Sequence, residues 1–181
     1  MMGYIDIPKI NVHLPIYQGI EEQALQAGVG FWPGTSLPTG GPSTHCVLTA
    51  HNGLVRAKMF TDLDQLVEGD TFSLSILDRV LTYEVDQILV TEPDEVDALQ
   101  IVEGQDYVTL YTCTPYGVNT HRLLVRGHRI ETPENVNLGN GAVDIIRTQS
   151  GMTVLITLAV VGLLILLFRI WRIFRARKKK Q

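Results

Sequence analysis

A cysteine, a histidine and an arginine stand in this chain where their chemistry can be used. Cys113 closes an apolar, β-branched and aromatic run at 107–113, YVTLYTC, and Arg122 stands near the start of a second run at 121–130, HRLLVRGHRI. Between them residues 114–120 hold Pro115, Gly117 and Asn119. This composition predicts two strands joined by a turn-rich loop, with a thiol ending one strand and a guanidinium opening the next. A free cysteine titrates near ~8.5 and is only a few per cent thiolate at neutral pH; a nearby cation favours the thiolate, which is the nucleophile.

The histidine comes from STHCVLTAHNG at 43–53. Val47, Leu48 and Thr49 predict a strand and Asn52-Gly53 a turn that ends it, so His51 stands at a strand terminus and faces a cleft. There an imidazole can act as base toward a thiol, or as the imidazolium partner of a thiolate, and can protonate a departing amine. Arg122, always charged and forked, can hold a substrate backbone or stabilise an oxyanion.

The residues TLYTC, followed by TPYGVNTHRLLVRG, resemble the Thr-Leu-x-Thr-Cys signature and downstream arginine of sortases, the cysteine transpeptidases of Gram-positive cell surfaces. The continuation is similar to class C, the pilus-building branch. The match runs through about twenty consecutive residues and recurs around His51. The resemblance implies Cys113 as nucleophile, His51 as the catalytic histidine and Arg122 as the substrate-positioning cation. It also implies an eight-stranded sortase β-barrel and attack by Cys113 on the Thr–Gly bond of a Leu-Pro-x-Thr-Gly (LPXTG) sorting signal. A thioacyl-enzyme follows, resolved by a lysine amine of the next pilin. Class C members carry an N-terminal membrane segment and an Asp-Pro-aromatic lid; no proline of this chain follows an aspartate, so the resemblance implies an uncovered site. No cofactor or metal is expected.

Several neighbouring residues have competing readings. Thr112 either orients the site or packs within its strand. His121 is expected on the opposite strand face from Arg122. His45 shares a face with His51 but lies about 20 Å from it along a regular strand, too far to serve the same site. Cys46 is read as an inert buried thiol, with a disulfide to Cys113 as the competing arrangement. A zinc site from Cys46, His51, Cys113 and His121 lacks the close paired spacing of known fingers.

The elements that must position these residues are short. Residues 3–8 and 12–17 predict strands, with Pro8 and Pro15 confined to ends, edges or bulges. The segment YIDIP at 4–8 also resembles the opening strand of the sortase barrel. EEQALQA at 21–27 predicts one or two helical turns stopped by Gly28. Residues 30–41, rich in Gly and Pro, read as a surface excursion whose Phe31 and Trp32 cover the core or contact substrate. A short helix or turn is expected at 59–66, with strands at 71–77 and 80–90. In the latter Leu81, Tyr83 and Val85 alternate with polar residues before Ile88 and Val90 change phase, predicting a bulge near Asp86 and Gln87. The acidic run 92–97 reads as a solvated loop whose spacing matches no EF-hand. Many short strands without βαβ alternation predict a mainly β, closed antiparallel or mixed barrel.

The 181 residues suit one domain and one anchor. Residues 1–131 are expected to form the catalytic barrel, 132–150 a linker, 151–171 a transmembrane helix and 172–181 a basic cytoplasmic tail. The uncharged run 152–168 would span about 26 Å as a helix, and Arg169 and Trp171 extend it toward the interface. Residues 1–150 carry a formal charge of −11 and the rest +7, which by the positive-inside rule puts the tail in the cytoplasm and the domain outside. The lipid bilayer is therefore an expected partner, beside sorting-signal proteins and a pilin lysine. Nucleic acid is not, since a basic block abutting an apolar span suits anionic headgroups better. Met1 to Asp6 hold neither a basic start nor an apolar run, so the sequence is expected to start inside a longer chain or at an internal methionine.

Two function classes emerge, a cysteine transpeptidase and a truncated, non-catalytic, membrane-tethered module that binds sorting-signal peptides. Turnover abolished by changes at Cys113, His51 and Arg122 marks the first; binding that survives those changes without turnover marks the second.

Overall fold

The structure, a computed structural model, describes residues 1–54 and 57–133. The chain divides into two units, Met1–Leu138 and Gly139–Gln181, and the described residues all belong to the first.

Eight strands and one short helix follow in order: β1 (Gly3–Ile7), β2 (Val12–Gln18), α1 (Glu22–Ala27), β3 (Val29–Phe31), β4 (Thr44–Thr49), β5 (Thr71–Ile76), β6 (Arg79–Thr91), β7 (Asp106–Thr114) and β8 (His121–Ile130). They close into a barrel in the order β1-β2-β3-β4-β7-β8-β6-β5, and β5 pairs with β1. The β2–β3 and β4–β7 pairs are parallel and the other pairs antiparallel, so the barrel is mixed.

Alternation along each strand sends one set of side chains inward. Ile5, Ile7, Ile16, Leu48, Phe72, Leu74, Leu81, Tyr83, Val108, Leu110, Leu123 and Val125 fill the interior. Fully burying an aliphatic or aromatic side chain of this size contributes roughly 1.5–3 kcal/mol. The expected bulge is present: the β6–β8 register shifts between Val85 and Gln87. That extra residue lets Leu81, Tyr83 and Val85 before it, and Ile88 after it, pack on one core. Asp86, displaced from the ladder, receives Arg126 Nε at 2.9 Å and Nη2 at 3.0 Å.

The parallel β4–β7 pair decides where function can sit. Parallel neighbours need a long crossover, and here the chain builds the β5–β6 hairpin between them. Both strands then end at the same rim of the barrel, where β8 begins.

Two expectations need correction. The excursion expected at 30–41 starts as a strand: Val29–Phe31 is buried and pairs in parallel with β2. Three residues flanked and centred by glycine carry no strand pattern of their own; pairing supplies it. The expected C-terminal transmembrane helix is the second. Among the described residues no helix is long and apolar enough to cross a membrane. The longest, α1, has six residues, or about 9 Å at the α-helical rise against a bilayer core of ~30 Å. The segment 151–171, the linker from 134 onward and the basic tail lie outside the described residues. The described residues thus form a closed, mainly β, eight-stranded barrel.

Candidate active site

Cys113 and Arg122 are register partners across β7 and β8. Directly opposed residues project from the same face of a sheet, and this face is the outer one. Tyr111 and Leu124, two residues away on each strand, pack outside the barrel with Val47 and against Trp32, Leu89, Ala98 and Leu99. Trp32 meets Tyr111 edge-on, with ring centroids 5.0 Å apart. The thiol therefore opens onto an apolar outer shelf rather than into the core.

His51 reaches the same rung through β4. The parallel register pairs Thr49 with Tyr111, and the ladder runs one step further as the Ala50 amide donates to the Tyr111 carbonyl at 3.3 Å. Counting on, His51 stands level with Cys113. Asn52 then replaces the ladder: its Nδ2 donates to the Cys113 carbonyl at 2.8 Å. Thr112, buried on the inner face, donates its hydroxyl to the Ala50 carbonyl at 2.8 Å. Two side chains thus tie the strand ends together, Asn52 at Cys113 itself and Thr112 at the residue before His51.

Each charged group has a defined seat. Arg122 Nη1 donates to the carbonyls of Asn119 at 3.1 Å and His121 at 2.9 Å, so the loop's own backbone orients the guanidinium. Burial pushes the Tyr111 hydroxyl up, the Arg122 guanidinium opposes this, and charge on Cys113 adds to it; the three share one local field. His51 Nε2 is shielded from solvent without a hydrogen-bond partner and faces Glu22 Oε2 at 3.6 Å.

The structure gathers Cys113, His51 and Arg122 and keeps the other candidates apart. Cys46 pairs with Val108, five positions before Cys113, or about 17 Å along the strand, beyond the reach of a disulfide. It is a free thiol facing the core, and burial raises it far above the ordinary cysteine range. His45 is buried beneath the β6–β7 crossover, where Nδ1 donates to the Gln100 carbonyl at 2.9 Å and Nε2 lies 2.7 Å from the Thr109 hydroxyl. His121 faces away from Arg122, as expected, and contacts Glu92 at 3.2 Å. Among the described residues no group of three or more His, Cys, Asp or Glu is placed to hold a metal.

A thiol, an imidazole and an oriented guanidinium on one rung are the groups that covalent acyl transfer requires. A family model described as a sortase domain matches residues 5–130, from within β1 to the end of β8. The chain belongs to the sortase family.

Solved sortase structures agree. The sortase C1 of Streptococcus suis is 57% identical, with a TM-score of 0.73 over 75% of this chain and 76% of that one. Sortase C-1 of Actinomyces oris is 56% identical, with a TM-score of 0.71 over 72% and 74%. These neighbours are class C sortases, as the residues after Cys113 suggest. Sortase D of Bacillus subtilis is 28% identical over 71% of this chain and 63% of its own length. Sortase SrtE1 of Streptomyces coelicolor is 31% identical over 70% and 40%. The chain spans less than two thirds of the length of these curated relatives.

Sequence reasoning missed two contacts at this candidate site. Asn52 reads as a turn residue, and its turn is real, but its amide also holds the Cys113 backbone. Glu22 reads as a helix N-terminal acid. Its approach to His51 joins residues 29 apart, and no local pattern signals it.

Proposed function

We propose that this sortase is a pilin-polymerising cysteine transpeptidase that cleaves an LPXTG-like sorting signal between Thr and Gly. The Cys113 thiolate attacks the threonine carbonyl carbon; a C–S bond forms and the C–N bond to glycine breaks. The His51 imidazolium delivers its proton to the departing glycine amine. Arg122 holds the substrate carbonyl whose oxygen gathers charge. A pilin lysine ε-amine then attacks the thioester, an isopeptide forms, His51 takes up the amine proton and the Cys113 thiolate is released. The substrates of such a reaction are displayed outside the cytoplasm, and the barrel acts on that side.

The observation that carries this reading is the single rung shared by Cys113, Arg122 and the strand end that bears His51. Its test is a two-peptide ligation by the full chain, with a Leu-Pro-x-Thr-Gly peptide as donor and a lysine-bearing peptide as acceptor. Ligated product is expected from the unaltered protein, none from Cys113→Ala, and a loss of about 10²-fold or more in His51→Ala, the lower range of acid–base contributions. Donor peptide that is bound but never cleaved would contradict the reading and favour a recognition module.

A further inference from the structure

We infer that Glu22 is a positioning residue for His51, acting on the Cys113 thiol through the imidazole. The inference rests on His51 and Cys113 forming one site, and goes beyond it by adding a fourth charged group from another element.

The seat of α1 makes the contact possible. Gly30 of β3 pairs with Thr49 of β4, two residues before His51. A Cβ at Gly30 would lie 2.8 Å from Leu25 Cδ2 and 2.6 Å from the Gly19 carbonyl. The missing side chain therefore lets Leu25 bring α1 down onto β3, immediately beside the strand that ends at His51. From this seat Glu22 points its carboxylate at the ring. Gln26, one turn on, donates Nε2 to Glu22 Oε1 at 2.8 Å, and that bond fixes one carboxylate oxygen while turning Oε2 toward His51 Nε2 at 3.6 Å.

At this separation the interaction is Coulombic rather than a hydrogen bond. Nε2 is otherwise shielded and without a hydrogen-bond partner among the described residues, so the carboxylate is the charged group that faces it. The carboxylate thereby holds the ring in one orientation, on the rung that carries Cys113. An imidazolium held this way stabilises the neighbouring thiolate. The direct field of Glu22 on Cys113 has the opposite sign, so any promotion of the thiolate passes through the ring.

The test is the alkylation rate of Cys113 by iodoacetamide in the full chain near neutral pH, which needs no peptide substrate and is independent of the transpeptidase reading. Glu22→Gln is isosteric and its side chain is 67% exposed, so the fold stands. It is expected to slow alkylation about two- to fivefold, the scale of an exposed ion pair, and Glu22→Lys is expected to slow it further. In a His51→Ala background neither change should slow the reaction. In donor-peptide cleavage, Glu22→Gln should lower kcat with KM unchanged. Equal slowing with and without His51, or no slowing in either background, would overturn the assignment.

Discussion

The Thr112 hydroxyl donates to the Ala50 carbonyl at 2.8 Å from inside the barrel, while the side chains flanking this bond, Cys113 and His51, belong to the outer face. The site is thus assembled on one side of a sheet and locked from the other. The threonine before Cys113 fixes the level at which the two strands end. Orientation and packing, which stood as competing readings of Thr112, are one interaction.

Thr112→Val keeps the shape and removes the donor, leaving the buried Ala50 carbonyl unpaired. A loss of about 1–3 kcal/mol in urea unfolding is expected. Peptide cleavage should fall through kcat rather than KM, because strand level rather than peptide recognition is disturbed. Unchanged stability and kcat would remove the lock from the account.

Gly30→Ala places a methyl against the Gly19 carbonyl and Leu25. Overpacking of this kind costs about 1–3 kcal/mol, seen as a lower Tm. Because α1 must lift to accommodate it, Cys113 alkylation should slow to the rate of Glu22→Gln. A lower Tm with an unchanged alkylation rate would separate the helix seat from the site.

The two cysteines should differ sharply toward a disulfide reagent at neutral pH. Cys113 is part-exposed on the outer shelf, whereas Cys46 is buried and its thiol is held protonated by desolvation. One equivalent should react quickly and the second only on unfolding, and Cys113→Ala should abolish the fast phase. A fast phase surviving in that variant would place the reactive thiol elsewhere.

His45 gives the barrel a pH dependence. Burial lowers its pKa against the raising effect of its bond to Gln100, with Arg126 lowering it further and Asp86 raising it. The unfolded chain therefore binds a proton first as pH falls, so the stability from neutral His45 is complete above its unfolded value near ~6.5 and is lost as pH drops toward the depressed folded value. Urea unfolding from pH 7.5 to 5 should show this loss, and His45→Gln should flatten that part of the profile. An unaltered profile in the variant would assign the dependence to other groups.

Much of this was legible because it is local. The β-branched and aromatic run that ends at Cys113, the Asn52-Gly53 turn that ends the His51 strand and the phase change near Asp86 are patterns within a few residues, and each has its counterpart in the barrel. What could not be read depends on pairing. Val29–Phe31 becomes a strand only beside β2, and Trp32 finds the outer shelf only because β4 lies next to β7. Glu22 reaches His51 only through a glycine on an intervening strand. The apolar run at 152–168 lies outside the described residues, among which no helix is long and apolar enough to cross a membrane.

The central claim is that Cys113 forms a covalent acyl-enzyme with a sorting-signal peptide, and intact-mass spectrometry tests it most directly. The full chain, reduced and incubated with a Leu-Pro-x-Thr-Gly peptide, should gain the mass of the peptide up to its threonine, less the water lost in acylation, and Cys113→Ala should gain nothing. A folded protein that gains no mass across several sorting-signal variants, or a Cys113→Ala protein that gains it, would contradict the account.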